Sequence, residues 1–470
     1  MDQLSRSQFL RGAAGAMFAV PTFDLRRGLA DAFAHETAAP PAVRRFVSRP
    51  DLTPPVLTVD RATAAAAPGL VLVSPSSGPG GHGPMIVDSR GELVWFRPVR
   101  KGTAPTDFKL QRLNGKPVLT WWEGKIVKGL GDGHWVVADT SYRELFRLHA
   151  AGNLPADLHE FHISPEGTAL VTSNELVRWP HGLVVGGVVQ ELSLPAGRLL
   201  HEWRSLQHVP VSETAVRGKP GPRFDYFHVN SVDVDADGDL LVSGRNVWAA
   251  YKVDRRTGRV RWRLGGKRSD FALGPGVRFY WQHDVRHHTG DRISIFDNGA
   301  APPREPRSRA RMLKLDARRK RVRLEHAFVH RPELVLSHFM GNAQQLAGGN
   351  TFVGWGGSPF VTEFAPDGSI VFDAHLPRGG QSYRAFRVVG TGRPAAPPDL
   401  AASGGALYAS WNGATGVASW RLYEDGRPTQ TVPRGGFETV LRPLAAAKKA
   451  SVAALDGSGN ELARSREISL

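Results

Sequence analysis

Residues 225–246 read DYFHVNSVDVDADGDLLVSGRN. The middle of this stretch, Asp-Ala-Asp-Gly-Asp, is turn chemistry, and its flanks alternate apolar with polar residues as strands do. It therefore predicts a β-hairpin centred on Asp237. His228 and Asn230 open the first strand and, being two apart, share a face. With the turn at Asp237, residue 228 faces residue 246, so Arg245 closes the second strand beside them. A hairpin needs none of these three groups to form, which makes that end of it a candidate site.

The same unit recurs along the chain. One family of short repeats pairs a turn with a strand ending in a bulky residue: VDSRGELVWF, ADTSYRELFRL, LSLPAGRLLHEW, VDRRTGRVRWRL, LDARRKRVRLEH and FAPDGSIVFDA. Its turn tips are Gly91, Arg143, Gly197, Gly258, Lys320 and Gly368, spaced by 52, 54, 61, 62 and 48 residues. A second family, a Gly turn leading into an apolar strand, starts at Pro68, Asn114, Glu166, Asp237, Thr289 and Gly348. The two alternate, six and six. A repeat of that length built from short strands is the signature of a propeller blade, and a blade buries its faces only against neighbours in a closed ring. The expectation is an all-β chain with a six-bladed β-propeller over residues 46–390. A sandwich or solenoid would leave the regular alternation to accident.

Past VVGTGRPAAPPDL (388–400) the pattern changes. Residues 391–400 read as a Pro/Ala-rich linker. Residues 401–470 hold short alternating strands with Trp411 and Trp420 as core anchors, and predict a small β-sandwich of the fibronectin or immunoglobulin type.

Bulk properties narrow the function. The chain has 470 residues, more than one core usually accommodates, and a net charge of +16 from 60 Lys and Arg against 44 Asp and Glu. That field should attract anionic substrates or polymers, unless it reflects only an Arg-rich composition with solvated basic faces. No nucleic-acid-binding motif and no apolar run of spanning length is present. There is no cysteine, which excludes disulfides, thiolate metal sites and a cysteine nucleophile. Residues 1–39 read as an export leader. SRSQFLRG (5–12) is like a twin-arginine signal, but Ser7 stands where the second arginine belongs. The expectation is a periplasmic, cell-envelope or extracellular protein. A homodimer is left open.

Other repeats carry histidines at matching places. His159 precedes Gly167 in HEFHISPEG, His228 precedes Gly238, and His283 precedes Gly290 in HDVRHHTG; GNAQQLAGG offers Asn342 at the corresponding point. Pseudo-symmetry about a ring axis would bring His159, His228 and His283 together in a central channel, with Asn230, Arg245 and Asn342 near them. HEFH leaves His159 and His162 as competitors for one place. Strand alternation turns Glu160 and Asp284 away from the channel, leaving it poor in carboxylates. Trp121 and Trp122 either pack between blades or line an aromatic acceptor pocket. Imidazoles are nucleophiles and bases near neutral pH, and a guanidinium clamps an oxyanion. Such a cluster suits sulfuryl transfer, which needs positioning and charge stabilisation more than it needs a metal.

At this point the chain resembles a family. FVSRPDLTPPV, DLHEFHISPEGTALVT, the 225–246 stretch running on through WRLGGKRSDF, WQHDVRHHTGDRISIFDNG and GNTFVGWG resemble the bacterial arylsulfotransferases over about residues 46–390. The resemblance implies a six-bladed propeller and a ping-pong reaction without a nucleotide cofactor. A channel histidine would take the sulfuryl group from a phenolic sulfate ester and pass it to a phenolic acceptor. By position it implies His283 as nucleophile, His228 and Asn230 as the His-x-Asn pair, Arg245 as the oxyanion clamp and His159 as the further channel histidine, with His162 and Asn342 as substrate-binding candidates and no metal ligands. Two other functional classes fit a propeller: a metal-dependent hydrolase or lactonase, for which the His, Asn and Gln set is poorly chosen unless the ion is zinc, and a non-catalytic module binding a sulfated or phenolic ligand.

Overall fold

The computed structural model describes residues 42–180, 182–217 and 223–470. The leader read at 1–39 lies outside the described residues, and among those described no helix is long and apolar enough to cross a membrane. The structure is nearly all β, with Ser205–His208 and Val211–Glu213 as the helical pieces among the described residues.

Residues 58–388 fold into six antiparallel sheets of four-strand plan. Five follow chain order, starting from Ala104–Leu113, Phe161–Ile163, Val229–Val234, His283–His288 and Asn342–Gln345. The sixth is composite: Gln381–Val388 pairs antiparallel with Leu70–Ser77, which continues to Met85–Val87 and Leu93–Phe96. Each sheet packs on the next, and the sheet of Asn342 packs on the composite one, so the succession is closed. Thr58–Ala62 adds to the outer edge of that same sheet by pairing with Ile370–His375. The closure thus joins both chain ends of the region, and few sheet edges are left to recruit another chain.

The turn tips of the first repeat family all fall between the third and fourth strands of a sheet. Five members of the second family turn from the first strand into the second; the sixth, at Pro68, instead opens the strand that receives Gln381–Val388.

The core lies between the sheets, because each sheet is apolar on both faces. In Leu240–Gly244, Leu240 and Val242 join a cluster with Val189, Val232 and Tyr251, while Leu241 joins Val285, Ile293 and Leu313 on the other face. Period-two alternation sorts one strand into two cores. Trp121 and Trp122 are sorted likewise, into clusters around Trp95 and Phe108 and around Trp135 and Phe161. Their indole N–H groups donate to Glu123 Oε1 (2.6 Å) and to the Ala156 carbonyl (2.9 Å). Both are packing residues, and neither lines an acceptor pocket.

Residues 399–470 form a three-stranded and a five-stranded sheet around Leu407, Trp411, Trp420, Leu422 and Val452. The first strand, Asp399–Ser403, starts inside the stretch read as linker. The side-chain amide of Asn412 docks this unit on the composite sheet by bonding Phe96 N (3.0 Å) and O (2.9 Å).

Candidate active site

The innermost strands are bulged where they approach the axis. Register slips between Thr106 and Lys109, Val229 and Ser231, and His283 and Arg286. Asp107, His228 and Asp284 take left-handed φ values of 54°, 56° and 52°. A bulge interrupts strict alternation, and this corrects the expectation of a channel poor in carboxylates. Asp284 and Glu160 are not turned away. They are buried with Asp107 in an ion cluster at the centre of the ring. Arg384 meets Asp107 (2.6 Å), Glu160 (3.1 Å) and Asp284 (3.2 Å); Lys109 meets Glu160 (2.6 Å) and Asp107 (2.9 Å); Arg286 meets Asp284 (2.7 Å) and Glu160. Three cations balance three carboxylates there.

Next to this cluster stand three imidazoles from three sheets. The His159 ring lies edge-on to His228, with centroids 4.9 Å apart, and 6.5 Å from His283. Tyr383 meets His159 edge-on at 5.7 Å. The rings have different partners. His159 Nδ1 lies 2.5 Å from Asp157 Oδ2, and His228 Nδ1 lies 2.5 Å from Asp225 Oδ2. His283 Nδ1 instead faces Asn298 Oδ1 at 2.7 Å. Asn298 Nδ2 donates to the carbonyls of Ser337 (3.0 Å) and Met340 (2.9 Å), which fixes the amide's orientation. His283 therefore carries its proton on Nδ1 and a lone pair on Nε2, towards which the Met340 N–H points at 3.3 Å.

Charge in the site follows from burial. His283 is held well below the ordinary imidazole pKa, first by burial and then by the nearby Arg245 cation. Burial also lowers His228, against the pull of Asp225. Arg245, half-buried, lies with its guanidinium carbon 5.0 Å from the Trp281 ring centroid. Its hydrogen bonds run to neutral acceptors, Asn246 Oδ1 (3.0 Å) and the His338 carbonyl (3.2 Å), and burial brings its pKa down to about 10. Its backbone N–H bonds the His228 carbonyl at 3.0 Å, so the hairpin ends do meet, one residue out of the register expected because of the bulge at Val229.

The other sequence candidates sit elsewhere. Asn342 is buried and commits both amide atoms to the backbone of Ala385 (2.8 and 2.9 Å), tying neighbouring inner strands together. Asn230 Nδ2 likewise bonds the Gln282 carbonyl at 2.7 Å, and its Oδ1 is buried without a partner. His162 does not join the three rings. It lines a separate polar cavity with Lys109, Arg286, His288 and Gln344, its Nε2 3.9 Å from Asp233. Among the described residues no three His, Asp or Glu side chains are arranged to hold a metal ion.

Sequence reading missed Asn298, Trp281, Asp157 and Asp225. Asn298 is the next-to-last residue of the quoted ISIFDNG run, Trp281 opens WQHD, and both aspartates lie within three residues of a site histidine. Proximity in the chain was the available signal. Trp281 and its edge-to-face neighbour Trp248 (5.0 Å) have φ values of 58° and 54°, unusual for bulky residues and concentrated at functional sites.

No curated protein matches the chain. Solved structures resemble it at low identity. A protein of unknown function from Bacteroides caccae is 13% identical with a TM-score of 0.44, over 68% of this chain and 98% of its own. A catalytically inactive virginiamycin B lyase from Staphylococcus aureus, solved with quinupristin, is 8% identical with a TM-score of 0.37, over 76% and 96%. A family model does match, across residues 109–376 and so more than half of the chain, including all three site imidazoles and Arg245. The chain belongs to the arylsulfotransferase (ASST) family.

Proposed function

We propose that this protein moves a sulfuryl group from a phenolic sulfate ester to a phenolic acceptor through a sulfohistidine on His283. Family membership supports an aryl sulfotransferase-like function on small molecules. The closed succession of six sheets supports a six-bladed β-propeller as the scaffold, and the paired C-terminal sheets support an immunoglobulin- or fibronectin-like module. The leader reading supports export.

One observation carries the assignment. A guanidinium bonded only to neutral acceptors stands beside an imidazole whose Nε2 is kept unprotonated and faces the Met340 N–H at 3.3 Å. A half-buried cation without a bonded carboxylate is an anion site, and the neutral ring beside it is a nucleophile.

In the first half-reaction the His283 Nε2 lone pair attacks sulfur. The sulfur–oxygen bond to the aryl group breaks, and its electron pair leaves on the phenolate oxygen. Arg245 stabilises the sulfuryl oxygens, and His228 or His159, each backed by a carboxylate, stands near to protonate the leaving oxygen. In the second half the acceptor oxygen attacks sulfur, its proton passes to one of those imidazoles, and the N–S bond returns its pair to His283. Asn230, Asn342 and His162 have no direct part here. Their contacts support strand-bridging roles for the two amides and a separate location for His162.

The test is release of nitrophenolate from a nitrophenyl sulfate, with and without added phenol and with chelator present. Phenol-dependent, chelator-resistant release is the expected result, together with a sulfuryl adduct on the His283 peptide when donor is given alone. Undiminished turnover by His283→Ala, or release that chelator abolishes, would overturn the reading.

A further inference from the structure

The three site imidazoles share one plan with one exception. His159 and His228 each present Nδ1 to an aspartate at 2.5 Å, whereas His283 presents Nδ1 to the amide oxygen of Asn298. A carboxylate at Nδ1 adds a pull towards the imidazolium, which burial outweighs at His228. An amide oxygen fixes the tautomer equally well and adds no charge. The chain uses both devices side by side, and the uncharged one falls on the ring whose Nε2 lone pair faces the Met340 N–H.

Asn298 has a second hold on the site. It follows the Arg292–Asp297 strand, which pairs with the His283 strand, and it is fully buried. Its carbonyl is fixed by Ser308 Oγ at 2.7 Å. Its Nδ2 grips Ser337 and Met340, the segment whose Met340 N–H points at His283 Nε2 and whose His338 carbonyl accepts from Arg245. One side chain therefore sets the ring's proton on one side and places a backbone donor opposite its lone pair on the other.

We propose that Asn298 is the positioning residue of this centre: it selects the Nδ1–H tautomer of His283 and holds the Met340 N–H over Nε2. Its importance to turnover rests on the proposed sulfuryl transfer; its effect on His283 does not.

The test separates the two. Nitrogen-15 NMR of the full-length protein labelled at histidine, with His283→Gln identifying the signal, reads tautomer and titration without any substrate. The expected wild-type signal is a single Nδ1–H tautomer that stays neutral below pH 6.5, the ordinary imidazole value. Asn298→Asp should raise the His283 midpoint by about 1–3 units, and Asn298→Ala should give mixed tautomers. A wild-type Nε2–H tautomer, or an unmoved midpoint in a folded Asn298→Asp protein, overturns the proposal whether or not any sulfate moves. In turnover, Asn298→Asp should shift the acid limb of kcat/KM upward by the same amount, and Asn298→Ala should lower kcat with KM within about threefold. If the NMR results hold and no aryl sulfate is turned over, the functional reading fails and the positioning role stands.

Discussion

Arg245 lies over Trp281, its guanidinium carbon 5.0 Å from the ring centroid, and Trp281 is two residues from His283. The indole face partly compensates a cation that has no bonded carboxylate, an interaction of about 1–2 kcal/mol for a desolvated pair. Hydrogen bonds to Asn246 and His338 hold the guanidinium there and leave further N–H groups of Arg245 to bind an oxyanion. Lysine can supply the charge but not the plane or the fork. Arg245→Lys should therefore lower kcat/KM for an aryl sulfate by about 100-fold, the usual cost of losing one preorganised donor, and Trp281→Leu by about tenfold. Steady-state kinetics on a chromogenic donor checks both; near-normal values for Arg245→Lys would remove the clamp.

The pH profile has a definite sign. In the proposed transfer the reactive form of His283 is neutral, and its pKa is depressed by burial and by Arg245. As pH falls through 6.5, an ordinary histidine would begin to protonate and lose activity. Here kcat/KM for the donor should stay level through that value and decline only below it, because kcat/KM reports the free enzyme. Arg245→Gln removes one cause of the depression, so whatever activity remains should show an acid limb shifted to higher pH.

Asp225 holds His228 in one tautomer, with Nδ1 at 2.5 Å and Nε2 free. Asp225→Asn should preserve the fold yet weaken the ring as proton carrier, lowering kcat by about 10²–10⁴-fold, the range for losing a general acid–base contribution. The loss should shrink for donors with better leaving groups, since these need less protonation. A loss that is equal across a series of substituted aryl sulfates would assign His228 to binding and not to proton transfer.

Much of this was legible in the chain, for reasons that can be named. Turn chemistry located the third-to-fourth-strand hairpins: at four of the six, Gly91, Gly197, Gly258 and Gly368 adopt left-handed φ values from 67° to 85° that few other residues tolerate. The spacing of His159, His228 and His283 anticipated their convergence, since each leads into the innermost strand of its sheet or opens it. Alternation failed at the bulges. His283 and Asp284 are adjacent, and both serve the centre of the ring, because Asp284 takes φ 52° and the register slips there. A single sequence contains no local mark of such a slip. Asn342 misled for a related reason: a polar residue on an inner strand can bond the next strand's backbone as readily as a ligand, and only the contact to Ala385 distinguishes the two. Arg384 was invisible because its three partners come from three other sheets.

Arg384 also gives a stability prediction. It sits on Gln381–Val388, the strand that closes the succession of sheets, and reaches Asp107, Glu160 and Asp284 from complete burial. Replacing a buried ion cluster outright can be neutral, but removing one partner strands the opposite charge. Arg384→Met leaves three carboxylates facing two cations and should cost about 3–5 kcal/mol. The ring should then unfold at a lower temperature, while the C-terminal unit, with its own core around Trp420, should be little affected. Pairing it with Asp107→Asn restores the charge balance, so the double variant should be more stable than the sum of the two losses by about 0.5–3 kcal/mol. Denaturant unfolding followed by tryptophan fluorescence, with the four proteins in one cycle, measures that coupling. Additive losses would mean that Arg384 acts through packing alone and that the closing strand is not held by charge.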